Sequence, residues 1–162
     1  MRWIRHLFLD DAALARAFPG AALDAIGRAV AEQEKRHRGE LRVAIEGGLP
    51  LPALVAGRTA HERALQLFRD HRVWDTEDNA GVLVYLLLAD RRVEIVADRG
   101  IDARVGATAW ETICGAMQRE FAAGRYESGM QSGLASISDL LAAHFPARER
   151  NPNELPDAPL AG

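Results

Sequence analysis

The chain has 162 residues, 48% hydrophobic and 27% charged, with a formal net charge of −3. That balance suits a single soluble domain with one sizeable core, and it gives no long-range reason to expect nucleic acid or an anionic membrane as partner. One cysteine, Cys114, excludes an internal disulfide and a cysteine-rich zinc site.

The opening MRWIRHLFLDDAAL carries two early arginines but no apolar core of signal-peptide length. No later run reaches the roughly 20 apolar residues that cross a bilayer. The chain therefore reads as cytoplasmic and not membrane-spanning. From Leu9 to Phe18 the spacing predicts a short helix, with Asp10 or Asp11 placed to cap it, and Pro19-Gly20 breaks it. A longer helix follows over Ala21 to His37, burying Leu23, Ile26 and Val30, with Gly39 as its stop. Glu40 to Glu46 alternates: Leu41, Val43 and Ile45 face one way, Glu40, Arg42 and Glu46 the other. This predicts a half-buried strand towards an edge of a sheet.

After a loop rich in glycine and proline, a helix is predicted over Ala53 to His71, with Ala64, Leu65 and Phe68 inward. Val82 to Leu88 is continuously apolar and reads as a central strand covered on both faces, and Val93 to Ala97 is its hairpin partner across the turn at Asp90-Arg91-Arg92. Beyond Gly100, Trp110, Ile113, Cys114, Met117 and Phe121 form one helical stripe that ends at Gly124. A last helix, Tyr126 to Phe145, buries Met130, Leu134, Ile137 and Leu141 before Pro146 stops it. Four of the seven prolines fall from Pro146 onward, so disorder is expected over 147–162. The domain reading is a helical extension over 1–19, the folded domain over 20–146 and the tail over 147–162.

The first two strands, joined through a helix, should be parallel, and the third antiparallel. The fold class is α/β: a three-layer α/β/α sandwich with a small mixed sheet, a central hairpin, and helices on both faces. This topology gathers acids at one end of the sheet. Glu40, the loop Trp74-Asp75-Thr76-Glu77-Asp78-Asn79, Asp98 and Asp102 all reach it. Hard divalent cations take oxygen ligands of this kind. As metal ligands Asp98 and Asp102 rank first, then Asp75 and Asp78, with Glu40 weaker; Arg99 at the same end is a weak anion-binding candidate. The competing structural reading makes Asp75 or Asp78 a turn cap, Asp102 the cap of the helix carrying Trp110, and Glu40 the partner of an arginine.

Other chemistry is scarce. The five histidines show no metal-binding spacing, and there is no nucleophile elbow, phosphate-binding loop or dinucleotide fingerprint. The serines of the last helix, Ser128, Ser132, Ser136 and Ser138, have no base partner visible in the sequence. No organic cofactor is expected.

HRGELRVAIE at 37–46, NAGVLVYLLLADRRVEIVADRGI at 79–101 and AWETICGAMQREFAAGRYESGMQSGLASISDLLAAHFP at 109–146 together resemble the TPM-domain family, the thylakoid acid-phosphatase-like proteins of photosystem repair, and more narrowly its short soluble bacterial branch. The resemblance spans about residues 20 to 146. It implies an α/β/α sandwich, binding of calcium-like cations, and, from plant members, acid phosphatase activity. Many bacterial members are secreted or membrane-anchored, a feature from which this sequence departs. The leading expectation is an accessory domain that binds Ca²⁺ or another divalent cation, a protein partner, or both, the partner being of the membrane-associated kind. The rival is a metal-dependent phosphomonoesterase with Asp98 and Asp102 in its site.

Overall fold

The computed structural model describes residue 6, residues 11–149 and residues 151–162. The candidate cap Asp10, and most of the 1–10 stretch read as helical extension, lie outside them. Helix α1 (Asp11–Ala17) stops at Pro19, and α2 (Gly20–Glu34) buries Ala22, Ile26 and Val30. Strand β1 spans Glu40–Glu46. The single helix expected over 53–71 is two, α3 (Leu51–Val55) and α4 (Ala60–Asp70). Gly57 between them takes a φ of +68°, and Thr59 with Glu62 builds a capping box that starts α4 afresh. The buried stripe of α4 is Ala60, Ala64 and Leu67; Leu65, expected inward, sits about 100° round the helix from Ala64 and is exposed.

Strands β2 (Gly81–Leu87) and β3 (Arg92–Ala97) form the predicted hairpin, and every residue of β2 is buried. His6 ties down its turn: the Leu49 N–H donates to Nδ1, so Nε2 carries the proton and donates to Asp90 at 3.0 Å. After β3 come α5 (Arg99–Val105) and α6 (Ala107–Ala122), divided at Gly106, and then α7 (Tyr126–His144).

The sheet runs β3-β2-β1-β4, where β4 is Leu160–Ala161. β1 lies parallel to β2 with Glu40 opposite Gly81, and β3 lies antiparallel to β2 with Ala97 opposite Val82. One face of the sheet, with Leu41, Val43, Ile45, Val82, Val84 and Leu86, packs under residues of α1, α2, α5, α6 and α7. The other, with Ala44, Leu83, Tyr85 and Leu87, packs under α3, α4 and Leu155. This is the predicted three-layer mixed sandwich. Among the described residues no helix is long and apolar enough to cross a membrane.

The expected disorder over 147–162 is not what the structure has. Residues 151–162 lie along β1, where Leu160 pairs in parallel with Ala44 and Ala161 with Ile45. A segment rich in proline lacks N–H donors but keeps its carbonyls, and the Arg42 guanidinium donates to two of them, Pro156 O at 2.6 Å and Ala158 O at 2.7 Å. Asn151 donates to Glu34 O and His37 O, and Leu155 N donates to the Glu40 carboxylate. β1 is consequently interior rather than near an edge, and its polar face is covered: Glu40 and Arg42 are buried.

Candidate functional site

The strand ends meet as the topology requires. Glu40 and Gly81 are register partners, and the Asp98 N–H donates to Gly81 O at 2.8 Å. Asp98 is the N-cap of α5: its Oδ1 accepts from the Arg99 N–H at 2.7 Å. Its Oδ2 is buried and has no hydrogen-bond partner among the described residues, and Asp98 as a whole is 7% exposed. Two residues on, Gly100 admits the backbone of the preceding loop. A Cβ there would stand 2.5 Å from Asn79 O and 2.6 Å from Asp78 O, so only a glycine lets these carbonyls approach. Asn79 itself takes a φ of +50°.

The other acids of this end have partners. Asp102 lies in the first turn of α5 and accepts from Trp110 Nε1 at 3.0 Å, so it fastens α6 by its side chain rather than by capping it. Asp78 pairs with Arg38 at 2.9 Å and Arg148 at 3.4 Å, and Asp75 pairs with Arg72. Glu40 points into a different environment, described below. Arg99 is exposed at the start of α5. Among the described residues no three His, Cys, Asp or Glu side chains stand close enough together to hold a metal ion. Any cation here would rest on Asp98 and on main-chain oxygens.

Sequence reading missed a second polar centre. Glu34, on α2, continues the stripe of Ala22, Ile26 and Val30 by one further turn, and that spacing is the signal that it faces inward. Its Oε1 accepts from Leu41 N at 2.7 Å, and the carboxyl group of Asp157 lies beside the same cavity. Burial, with Glu40 and Asp157 facing it, pushes Glu34 up to about 9. Burial, against two backbone N–H donors from Glu154 and Leu155, leaves Glu40 raised to about 7. A cavity of about 340 Å³ lined by Glu34, Glu40, Asn151 and Asp157 opens beside them.

His37 and Ser138 also meet, although the serines of α7 offered no base partner in the sequence. Gly39 O can only accept, so His37 Nδ1 carries the proton and donates to it at 3.0 Å; Nε2 then accepts from the Ser138 hydroxyl at 3.2 Å. Both residues are completely buried, which leaves no space for a substrate. The pair ties β1's lead-in to α7. Cys114 is equally unsuited to nucleophilic work, since burial pushes its thiol up to about 11.

A family model described as TPM domain matches residues 13–140 of the chain. Among solved structures, the NMR structure of the BA42 protein from the psychrophilic bacterium Bizionia argentinensis sp. nov. is similar with a TM-score of 0.79 at 28% identity, covering 90% of this chain and 95% of that one. The solution structure of the N-terminal domain of a protein from P. gingivalis shares the fold at a TM-score of 0.64 and 20% identity, over 91% of this chain and 92% of that one. No curated protein matches the chain.

Proposed function

The chain belongs to the TPM domain family, and from that premise we propose that it is an accessory domain that binds a divalent cation of the Ca²⁺ or Mg²⁺ kind where β3 gives way to α5, and presents the adjoining loop to a protein partner. The observation that carries this reading is the buried, unpartnered Oδ2 of Asp98. A carboxylate oxygen removed from water and left without a donor costs free energy that a cation would offset. The oxygens suited to share it are the Asp78 and Asn79 carbonyls that the bare Gly100 admits, and a carboxylate with main-chain carbonyls is a donor set that hard cations accept. Asp102, Asp78 and Asp75 would join only by leaving Trp110, Arg38 with Arg148, and Arg72. Glu40 is outside the proposed set, because its carboxylate holds Leu155 N. Trp74, on the same loop as Asp78 and Asn79, is 47% exposed and is the residue we assign to partner contact.

A cation that binds the folded form raises its melting temperature by mass action, by the equivalent of about 2.7 kcal/mol at a hundred times Kd. We expect millimolar CaCl2, MgCl2 or MnCl2 to raise the melting temperature of the wild type and to move the amide resonances of residues 78–79 and 98–102. Asp98→Asn should remove both responses while the protein stays folded. Absence of any thermal shift and of any resonance change with all three salts sinks the cation reading. Release of phosphate from an aryl phosphate by the cation-loaded protein, lost in Asp98→Asn, would move the function to a phosphomonoesterase.

A further inference from the structure

We propose that the hairpin-turn end of the molecule is a docking surface for an anionic lipid membrane: the apolar outer side of α3 enters the bilayer surface while Arg91 and Arg92 contact its headgroups. The topology gathers these residues. β1 and β2 run parallel from the Glu40 and Gly81 end, so the loop after β1 and the turn after β2 leave the sheet together at its other end. There the Leu88 N–H donates to Glu46 O and the Ala89 N–H to Gly47 O, and His6 bridges Leu49 N to Asp90. The junction of α3 and α4 closes on the same turn, since Thr59, Ala60 and His61 share an open cavity of about 530 Å³ with Asp90, Arg92 and Glu94.

Leu51 and Val55 stand four residues apart on one side of α3 and are 58% and 65% exposed. Ala53 and Leu54 on its other side are buried, so α3 is seated on the core by one face and presents two large aliphatic side chains on the other. Pro50, Pro52 and Ala56 are exposed beside them. The main chain here is suited to an apolar phase. Pro50 and Pro52 have no N–H, and the Leu54, Ala56 and Gly57 N–H groups donate within the segment, to Pro50 O, Pro52 O and Leu54 O. A bilayer surface conforms to two such side chains on a five-residue helix and needs no matching pocket.

The charges at this end sort by exposure. Asp90 and Glu94 keep only 13% and 15% of their side chains exposed, Asp90 held by His6 and Glu94 by His61 and Arg92. The cations face outward: Arg91 is exposed at a φ of +51°, and Arg92 and His61 are each 59% exposed. Arg58 is exposed as well, and the exposed Glu62 is folded back onto Thr59. An anionic surface therefore meets arginines beside apolar side chains, the combination that holds a protein at a headgroup layer. The overall charge of −3 supplies no attraction from afar, so the contact works within a Debye length of this end. Docking here turns Asp98 and Trp74, at the opposite end of the sheet, towards solvent. The inference does not rest on the cation reading.

Sedimentation of the full chain with vesicles tests it, in EDTA so that no cation bridges protein and lipid. We expect retention on vesicles of equimolar phosphatidylcholine and phosphatidylglycerol, far less on phosphatidylcholine alone, and a partition that falls as NaCl rises from about 0.05 M to about 0.5 M. The double variant Leu51→Asn/Val55→Asn should weaken the partition by at least about tenfold, and Arg92→Gln by about fivefold. Arg91→Asn should act like Arg92→Gln, since asparagine tolerates the positive φ at that position. All of these side chains are exposed, so the melting temperatures should stay close to that of the wild type. No retention on the mixed vesicles, equal retention on neutral ones, or a double variant that binds like the wild type each overturns the proposal. Self-association that the double variant abolishes, without vesicle binding, would give the surface to a second copy of the chain and overturns it equally.

Discussion

Gly81→Ala is expected to lower stability by about 3 kcal/mol or more, equivalent to a drop in melting temperature of roughly 10 °C for a chain of this size. The reason is a backbone contact. A Cβ at Gly81 would lie 1.9 Å from Val73 O, 3.0 Å from Val73 C and 3.2 Å from Val73 Cγ1. A flexible side chain can swing away from such an overlap, but a carbonyl held in a packed loop cannot. Val73 is itself completely buried, and its N–H is bonded to Phe68 O. Relief requires the loop over 73–80 to lift from the first residue of β2. Gly81 O also accepts the Asp98 N–H, so the displacement reaches the candidate cation site. Gly27→Ala is the comparison. Its nearest neighbours would stand at an ordinary 3.7 Å in the middle of α2, so the alanine should raise stability by about 0.5–1 kcal/mol through the unfolded chain and helix propensity. Thermal or urea unfolding of the two variants beside the wild type checks both signs.

The parts of this architecture that a sequence reveals are those whose cause is periodic. Leu41, Val43 and Ile45 alternate, β2 is apolar throughout, and Met130, Leu134, Ile137 and Leu141 repeat at helical spacing; all three patterns survive as buried faces. From them follow the parallel pair, the hairpin and the end of the sheet where Asp98 emerges. What periodicity does not encode is which residue at a break takes a positive φ. Gly57 and Gly106 look like tolerated interior glycines in the sequence, yet they divide helices. Nor does it encode pairing across long separations. Arg38 and Arg148 reach Asp78 from 40 and 70 residues away, so a cluster of acids in the sequence becomes a set of ion pairs in space. The segment over 151–162 is the largest case. Its prolines signal a lack of regular structure, but the partner that fixes it, Arg42, belongs to an alternation that places it outward. Once residues 151–162 cover that face, outward means buried, and the polar centre of Glu34, Glu40 and Asp157 comes into being.

His37 supplies the second large effect, and its sign opposes that of Glu34 and Glu40. Burial lowers His37 from 6.5 to about 4, partly offset by the bond to Gly39 O. The folded state therefore requires the neutral imidazole, while the unfolded chain takes up a proton below 6.5. The stability that His37 contributes is complete above pH 6.5 and is lost as pH falls towards 4, a change of about 3 kcal/mol for a shift of this size. Total stability does not display this directly, because Glu34 and Glu40 bind extra protons in the folded state over the same range and tilt the profile the other way. Subtraction isolates it. His37→Gln cannot titrate and loses the native bonding to Gly39 and Ser138, so it should be less stable than the wild type at pH 7. The gap between the two proteins, measured by urea unfolding at each pH, should narrow by about 3 kcal/mol from pH 7 to pH 4, as the wild type bears the cost of keeping an imidazole neutral and the glutamine bears none. A gap that stays constant across that range would mean that His37 is charged when folded, with Nε2–H donating to Ser138 Oγ, and would overturn the neutral assignment.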